Sequence, residues 1–194
     1  MLARREKARL RHLYDVTASF YGPLYGPEQL RKFRAISRLT LLKYLKPETI
    51  LDAGCGAGVV TRRLCKRRNS LIVGIDFSEG MLREAHKRIG GKRTVALVRG
   101  DVENLPFRPR AFDLIVSLTV LQNCPLPLKT LKLLLHALSA RGILVLSYLK
   151  RAANTLFLKD LFGERIIEYL DATDNILIVD SEGRSVFSGA LPKR

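Results

Sequence analysis

The chain has 194 residues, 47% hydrophobic and 27% charged, a composition too apolar for a disordered basic tail and suited to one α/β domain with its own core. Its 34 Lys and Arg against 18 Asp and Glu leave a net charge of +16, which packing does not require and which suits a polyanionic partner, a nucleic acid first. No stretch approaches the roughly 20 apolar residues of a membrane span, MLARREKARLRHL is charged where a signal peptide is apolar, and the three cysteines lack metal-ligand or disulfide spacing, so a cytoplasmic, reduced, metal-free protein without a membrane span is expected.

Two N-terminal helices are expected. The first is basic and runs from Leu2 to about Ser19; the second opens at Pro27, a residue suited to the first helical position, and covers PEQLRKFRAISRLTLLKYL, with YGPLYG as the turn between them. On the second, Leu30, Phe33, Ile36, Thr40, Leu41 and Tyr44 share one arc, and Arg31, Arg34 and Arg38 form a neighbouring basic stripe. Beyond Pro47 short apolar runs alternate with amphipathic segments: TILDAG and VVTRRLCKRR, LIVGID and SEGMLREAHKRI, TVALVRGD, FDLIVSL and LKTLKLLLHAL, then GILVLSYL. Such runs with helices between them imply parallel strands buried on both faces, a doubly wound open sheet. A short helix near Asn154 to Phe162 is followed by IIEYL, NILIVD and SVFSGAL, with DSEG as a hairpin turn that gives the sheet an antiparallel edge. The charge is uneven: residues 1–50 carry +7, 51–150 carry +10 and 151–194 carry −1, which points to a directed basic surface that includes Arg62 to Arg68.

Leu51-Asp52-Ala53-Gly54-Cys55-Gly56-Ala57-Gly58-Val59 ends the first strand and opens a helix, where doubly wound sheets bind ligands. The spacing is G-x-G-x-G, with Val59 where a dinucleotide turn has its third glycine, and an acid stands two residues before the first glycine. A carboxylate there disfavours a pyrophosphate and suits a ligand with an ammonium group and a ribose.

LDAGCGAGV resembles motif I of the class I S-adenosylmethionine-dependent methyltransferases. Three further segments resemble that family in order: Gly74-Ile75-Asp76-Phe77-Ser78, Gly100-Asp101-Val102-Glu103-Asn104-Leu105-Pro106-Phe107, and Phe112-Asp113-Leu114-Ile115-Val116-Ser117. The resemblance implies a Rossmann-like, mostly parallel seven-stranded sheet with an antiparallel C-terminal hairpin and N-terminal helices. It implies S-adenosyl-L-methionine as cofactor, held by Asp52, Gly54, Cys55, Gly56 and Gly58, by Asp76 and Phe77 at the ribose, by Asp101 and Val102 at the adenine, and by Ser117. Residues 1–194 then form one domain: a helical lid or substrate region at 1–46, a cofactor core at 47–150, and a helix with edge strands at 151–194. Met81 and Leu82 are read as core residues rather than adenine contacts.

The acceptor is less clearly marked. The chain lacks the [DNS]-P-P-[YF] box of many base-amine methyltransferases; instead Leu121-Gln122-Asn123 resembles the Leu-Arg-Asn of ubiquinone/menaquinone C-methyltransferases, as does YDVTASFYGPLYG. Asn123, Gln122 and Ser117 are the catalytic candidates, the two amides as acceptors for a donor on the substrate, or as turn residues before Pro125. Cys124 reads as structural rather than nucleophilic, and His12, His86 and His136 form no triad or metal set. Tyr14, Phe20, Tyr21 and Tyr25 either stack on a base whose phosphates meet Arg31, Arg34 and Arg38, or form an aromatic lid. The charge favours methylation of an rRNA or tRNA base, such as the exocyclic amine of cytidine N4, with RNA or a ribosomal particle as partner. The alternatives are a small-molecule methyltransferase of the ubiquinone/menaquinone kind, and a cofactor-binding subunit that needs a small activator protein.

Overall fold

The computed structural model describes residues 2–37, 45–67, 69–149, 152–155, 157–162, 166–168 and 174–181. Helix α1 (Leu2–Ser37) precedes β1 (Thr49–Ala53), α2 (Val59–Leu64), β2 (Leu71–Asp76), α3 (Glu79–Ile89) and β3 (Val95–Arg99). A 3-10 turn at Val102–Asn104 leads to β4 (Phe112–Leu118), and another at Leu121–Asn123 to α4 (Pro127–Ala137) and β5 (Leu138–Leu149). The turn Ala153–Thr155, α5 (Phe157–Phe162), β6 (Ile166–Glu168) and β7 (Asp174–Asp180) complete the described chain.

The described strands form one seven-stranded sheet in the order β3-β2-β1-β4-β5-β7-β6. The first five are joined by parallel pairings, and β7 runs antiparallel to both β5 and β6. The expected doubly wound sheet with an antiparallel C-terminal hairpin is therefore present. The hairpin, however, is made by β6 and β7 and precedes DSEG. SVFSGAL lies outside the described residues, as do Arg38, Thr40, Leu41, Tyr44 and Arg68.

The parallel strands read as continuous apolar runs because both faces are covered. On one face Leu51, Ile75, Ile115 and Leu144 pack with Leu131 and Leu134 of α4; on the other Ile50, Ile72, Leu114 and Val145 pack with Val60 and Leu64 of α2 and Ile36 of α1. Helix α3 has legible ends: Ser78 caps it by accepting from Met81 N, Gly90 closes it in the left-handed conformation, Glu79 lies in its first turn, and His86, Lys87 and Arg88 lie in its last.

The N-terminal region departs from expectation. YGPLYG is not a turn; it continues a single 36-residue helix with Pro23 and Pro27 inside it. Each proline removes one backbone hydrogen bond, to the carbonyls of Ser19 and Pro23, but both residues face solvent, where water can serve those groups. What favours continuation is docking. Ala18, Gly22 and Gly26 recur at every fourth position as a buried stripe of small residues, which lets α1 lie close across α2 and α3. Tertiary packing here overrides local turn chemistry.

Candidate functional site

The strand order reverses at β1, whose neighbours are β2 and β4, and the carboxyl ends of these strands open into a cleft under α1. Gly54 adopts φ +76°, and a Cβ there would stand 2.4 Å from Val120 Cγ2. Gly58 has φ +74°, and its Cβ would meet Ala85 Cα at 2.9 Å, so it serves the α2–α3 approach and does not line the cleft. Asp52, Gly54, Cys55 and Gly56 do line it.

Asp76, at the end of β2, is almost fully buried. Its Oδ2 accepts from Gly56 N and its Oδ1 from Ser78 N, each at 2.9 Å, so it ties the glycine loop to the start of α3. Burial raises its pKa, against the lowering effect of the Ser78, Gly56 and Phe77 N–H groups. Asp52 lies deeper and accepts from Thr61 Oγ1 at 2.6 Å; burial pushes its carboxyl up to about 7, partly opposed by Thr61. Asp101 Oδ1 accepts from Glu103 N at 2.9 Å, and Oδ2 pairs with Lys7 of α1 at 2.5 Å. Lys7 also pairs with Glu103. Phe77 and Val102 line the cleft beside these acids.

Helix α1 forms the outer wall. Tyr14 meets Tyr21 and Phe77 edge-on, with ring centroids 5.8 and 5.9 Å apart, and its hydroxyl accepts from Asn123 Nδ2 at 3.0 Å. Burial, with the Asp76 charge behind it, raises the Tyr14 pKa, so the phenol keeps its proton. Tyr14, Tyr21 and Asn123 all line the cleft. Tyr25 packs on Tyr21 at 4.7 Å but is outside the lining and 44% exposed.

The remaining candidates separate from the cleft. Ser117 is buried in β4, and its Oγ has no hydrogen-bond partner among the described residues; strand alternation turns it away from Leu118, which lines the cleft, and Ser117 does not line it. Gln122 donates to Thr119 O at 2.8 Å within its turn and does not line the cleft. Arg31 and Arg34 are exposed on α1 and do not line it either. Cys124 does line it, with its thiol pushed up to about 11 by burial, which keeps it from acting as a thiolate nucleophile at neutral pH.

Sequence reasoning missed Lys7, Gln29 and Thr119, which line the cleft, and a buried polar cluster behind them. Lys32, fully buried, pairs with Asp174 Oδ2 and Glu28 Oε1 at 2.6 Å each and donates to Thr119 Oγ1 at 3.0 Å. Thr119 has φ +61°, a left-handed conformation unusual for a β-branched residue, and is held there by its N–H bonds to Ser147 Oγ and O, at 3.0 and 2.9 Å. The one sequence signal was Glu28 and Lys32 at i,i+4.

Residues 51–146 match a family described as "Methyltransferase domain". The chain is 32% identical over 126 residues to the malonyl-[acyl-carrier protein] O-methyltransferase of Methylovorus sp., a match covering 61% of this chain and 42% of that protein. It is 36% identical over 97 residues to the demethylmenaquinone methyltransferase of Staphylococcus saprophyticus, covering 49% of this chain and 42% of the relative. The chain thus spans less than half the length of these two curated relatives. Among solved structures, the methyltransferase in complex with the Haloferax volcanii Trm112 methyltransferase activator is 20% identical with a TM-score of 0.57 over 70% of this chain and 59% of that one, a likeness of fold.

Proposed function

We propose that this chain, whose residues 51–146 match a methyltransferase domain, is a class I S-adenosylmethionine-dependent methyltransferase and that it transfers the methyl group to a small organic acceptor that enters the cleft beneath α1. The cofactor implied by the family suits the residues present. Both oxygens of Asp76 are anchored by one backbone N–H each, which leaves each oxygen a lone pair for a ribose diol. Gly54 and Gly56 bring no side chains against a ligand, and Asp101 with Val102 offers an acceptor and an apolar contact at the adenine end.

When bound, the cofactor supplies a methyl group on a sulfonium, and its transfer is an in-line displacement in which placement of the acceptor matters most. The chain's own residues do that placing. Asp76 holds the ribose end, Lys7 offsets the charge of Asp101, and Tyr14 and Tyr21 exclude water along the outer wall. Asn123, its amide nitrogen turned to Tyr14 and to Thr119 O, offers its amide oxygen to an N–H or O–H of the acceptor.

The observation that carries a small-molecule acceptor over an RNA base is where the positive charge lies. Lys7 is the basic side chain among the described residues that line the cleft, and Asp101 and Glu103 already pair with it, while Arg31 and Arg34 face solvent elsewhere. Neither of these two curated relatives is named for a nucleic-acid acceptor. The net charge of +16 favours a second reading, methylation of an RNA base. Labelled S-adenosylmethionine incubated with unmodified total RNA and with a small-molecule and lipid extract, at low and high salt, separates the two. Label in the extract, insensitive to salt, supports the first reading; salt-sensitive label in RNA replaces it with the second. Cofactor binding without transfer to either pool would point to an activator of the kind seen beside the Haloferax volcanii structure.

A further inference from the structure

The buried cluster behind Thr119 fixes which end of the Gln29 amide faces a ligand. Lys32 has three N–H donors, and all three are committed, to Glu28, Asp174 and Thr119 Oγ1. Asp174 Oδ2 accepts, and both Thr119 Oγ1 and Ser147 Oγ donate to it, at 3.1 Å each. With its single proton given to Asp174, Thr119 Oγ1 is left only to accept: from Lys32 at 3.0 Å and from Gln29 at 3.3 Å. A bond from Gln29 to that oxygen must therefore come from the amide nitrogen. Even if the Thr119 proton turned to Ser147 Oγ, 3.3 Å away, the outcome for Gln29 would be the same.

Gln29 and Asn123 line the cleft with their nitrogens committed to protein acceptors, Gln29 to Thr119 Oγ1 and Asn123 to the Tyr14 hydroxyl and the Thr119 carbonyl. We propose that their two amide oxygens form an acceptor subsite selecting a neutral substrate with an N–H or O–H donor, an amine or an enolic or phenolic hydroxyl, against a carboxylate. The fixed charge nearby agrees. Lys32 is matched by both Asp174 and Glu28, and Asp52 and Asp76 line the same cleft, so no uncompensated cation of the described residues meets an anionic acceptor. A carboxylate would face two oxygens with no proton to share. Lys32, Asp174 and Thr119 act through Gln29 and are positioning residues. This inference rests on the cofactor reading above and refines its acceptor end.

The test uses the whole chain saturated with S-adenosylhomocysteine, the uptake of which is measured first by calorimetry; absence of that uptake overturns the cofactor reading itself. Naphthol, naphthylamine and naphthoate, matched in shape, are then titrated at up to millimolar concentration. The expected result is that the alcohol or the amine binds about tenfold or more tightly than the carboxylate. Q29L should abolish that preference without changing S-adenosylhomocysteine affinity. T119V, which keeps the shape but removes the hydroxyl, should reduce it, and T119S should restore it, a rescue that a purely structural role for the position does not predict. Equal affinity for the three probes, including binding of none of them, or an unchanged preference in Q29L, overturns the inference while leaving the cofactor site standing.

Discussion

Asp15 Oδ1, halfway along α1, accepts a hydrogen bond from Ser78 Oγ at 2.7 Å and another from Gly80 N at 2.9 Å. One helix thus caps another: the first turn of α3 has an N–H satisfied by a side chain of α1, at the point where Gly80 lets the two backbones approach. Asp15→Ala should lower stability by about 1 to 2 kcal/mol and quicken hydrogen exchange along α1, because the loss falls on the contact that holds it over the cleft. The pH dependence has a definite sign. Partial burial would raise the Asp15 carboxyl, but the Gly80 N–H and the Ser78 hydroxyl, aided by Arg11 and Arg99, outweigh it and hold the pKa below its ordinary value of 3.8. Its contribution is present above the ordinary value and lost as pH falls through the folded one. Urea melts of the wild type and Asp15→Ala should converge in acid.

Asp76→Ala should weaken cofactor binding by about 2 kcal/mol, roughly thirtyfold, because a charged acceptor of two hydroxyls is removed. Asp76→Asn should fall between, since it keeps one acceptor oxygen. Calorimetric titration of S-adenosylhomocysteine measures both; unchanged affinity in the alanine variant would remove Asp76 from the ribose.

Asp52 provides a pH signature of opposite sign. Burial raises its folded pKa to about 7 from the ordinary 3.8, against the Thr61 hydrogen bond. The native state therefore holds a proton that the unfolded chain releases, and this contribution is fully present at low pH and lost as pH rises through about 7. In Asp52→Asn, which carries no titrating group, stability should decline less between these two values. Denaturant midpoints across that range measure the difference, and parallel pH curves for the two proteins would contradict it.

Much of the core was legible because it obeys simple periodicities. The buried parallel strands are unbroken runs such as LIVGID and FDLIVSL, and α3 announces itself by Ser78 before it and Gly90 after it. The glycine loop, Asp76 and Asp101 follow the ends of those strands, so their convergence follows from the topology. What was hidden depends on contacts remote in sequence. The helical path through YGPLYG is stabilised by docking on α2 and α3, and Lys32 finds Asp174 across 142 positions. No local pattern could reveal that Thr119 adopts a left-handed conformation, since its hydrogen bonds come from β5 and β7. Arg31 and Arg34 share an exposed face of α1, as their spacing implied, and that face lies outside the cleft lining.

Asn123→Ala should reduce kcat by about tenfold or more while leaving cofactor affinity within about twofold, as expected for a group that orients the acceptor. Steady-state kinetics with the acceptor identified from the labelling experiment, set beside S-adenosylhomocysteine titration, read the two quantities separately. An equal fall in both would assign Asn123 to the architecture of the Tyr14 wall.

The most direct test of the account is titration of S-adenosylhomocysteine into the purified wild-type chain, followed by heat. It predicts saturable binding at a single site, carried by the loop after β1 and by Asp76. No saturable binding would contradict the assignment of the cleft beneath α1 as a methyl-donor site.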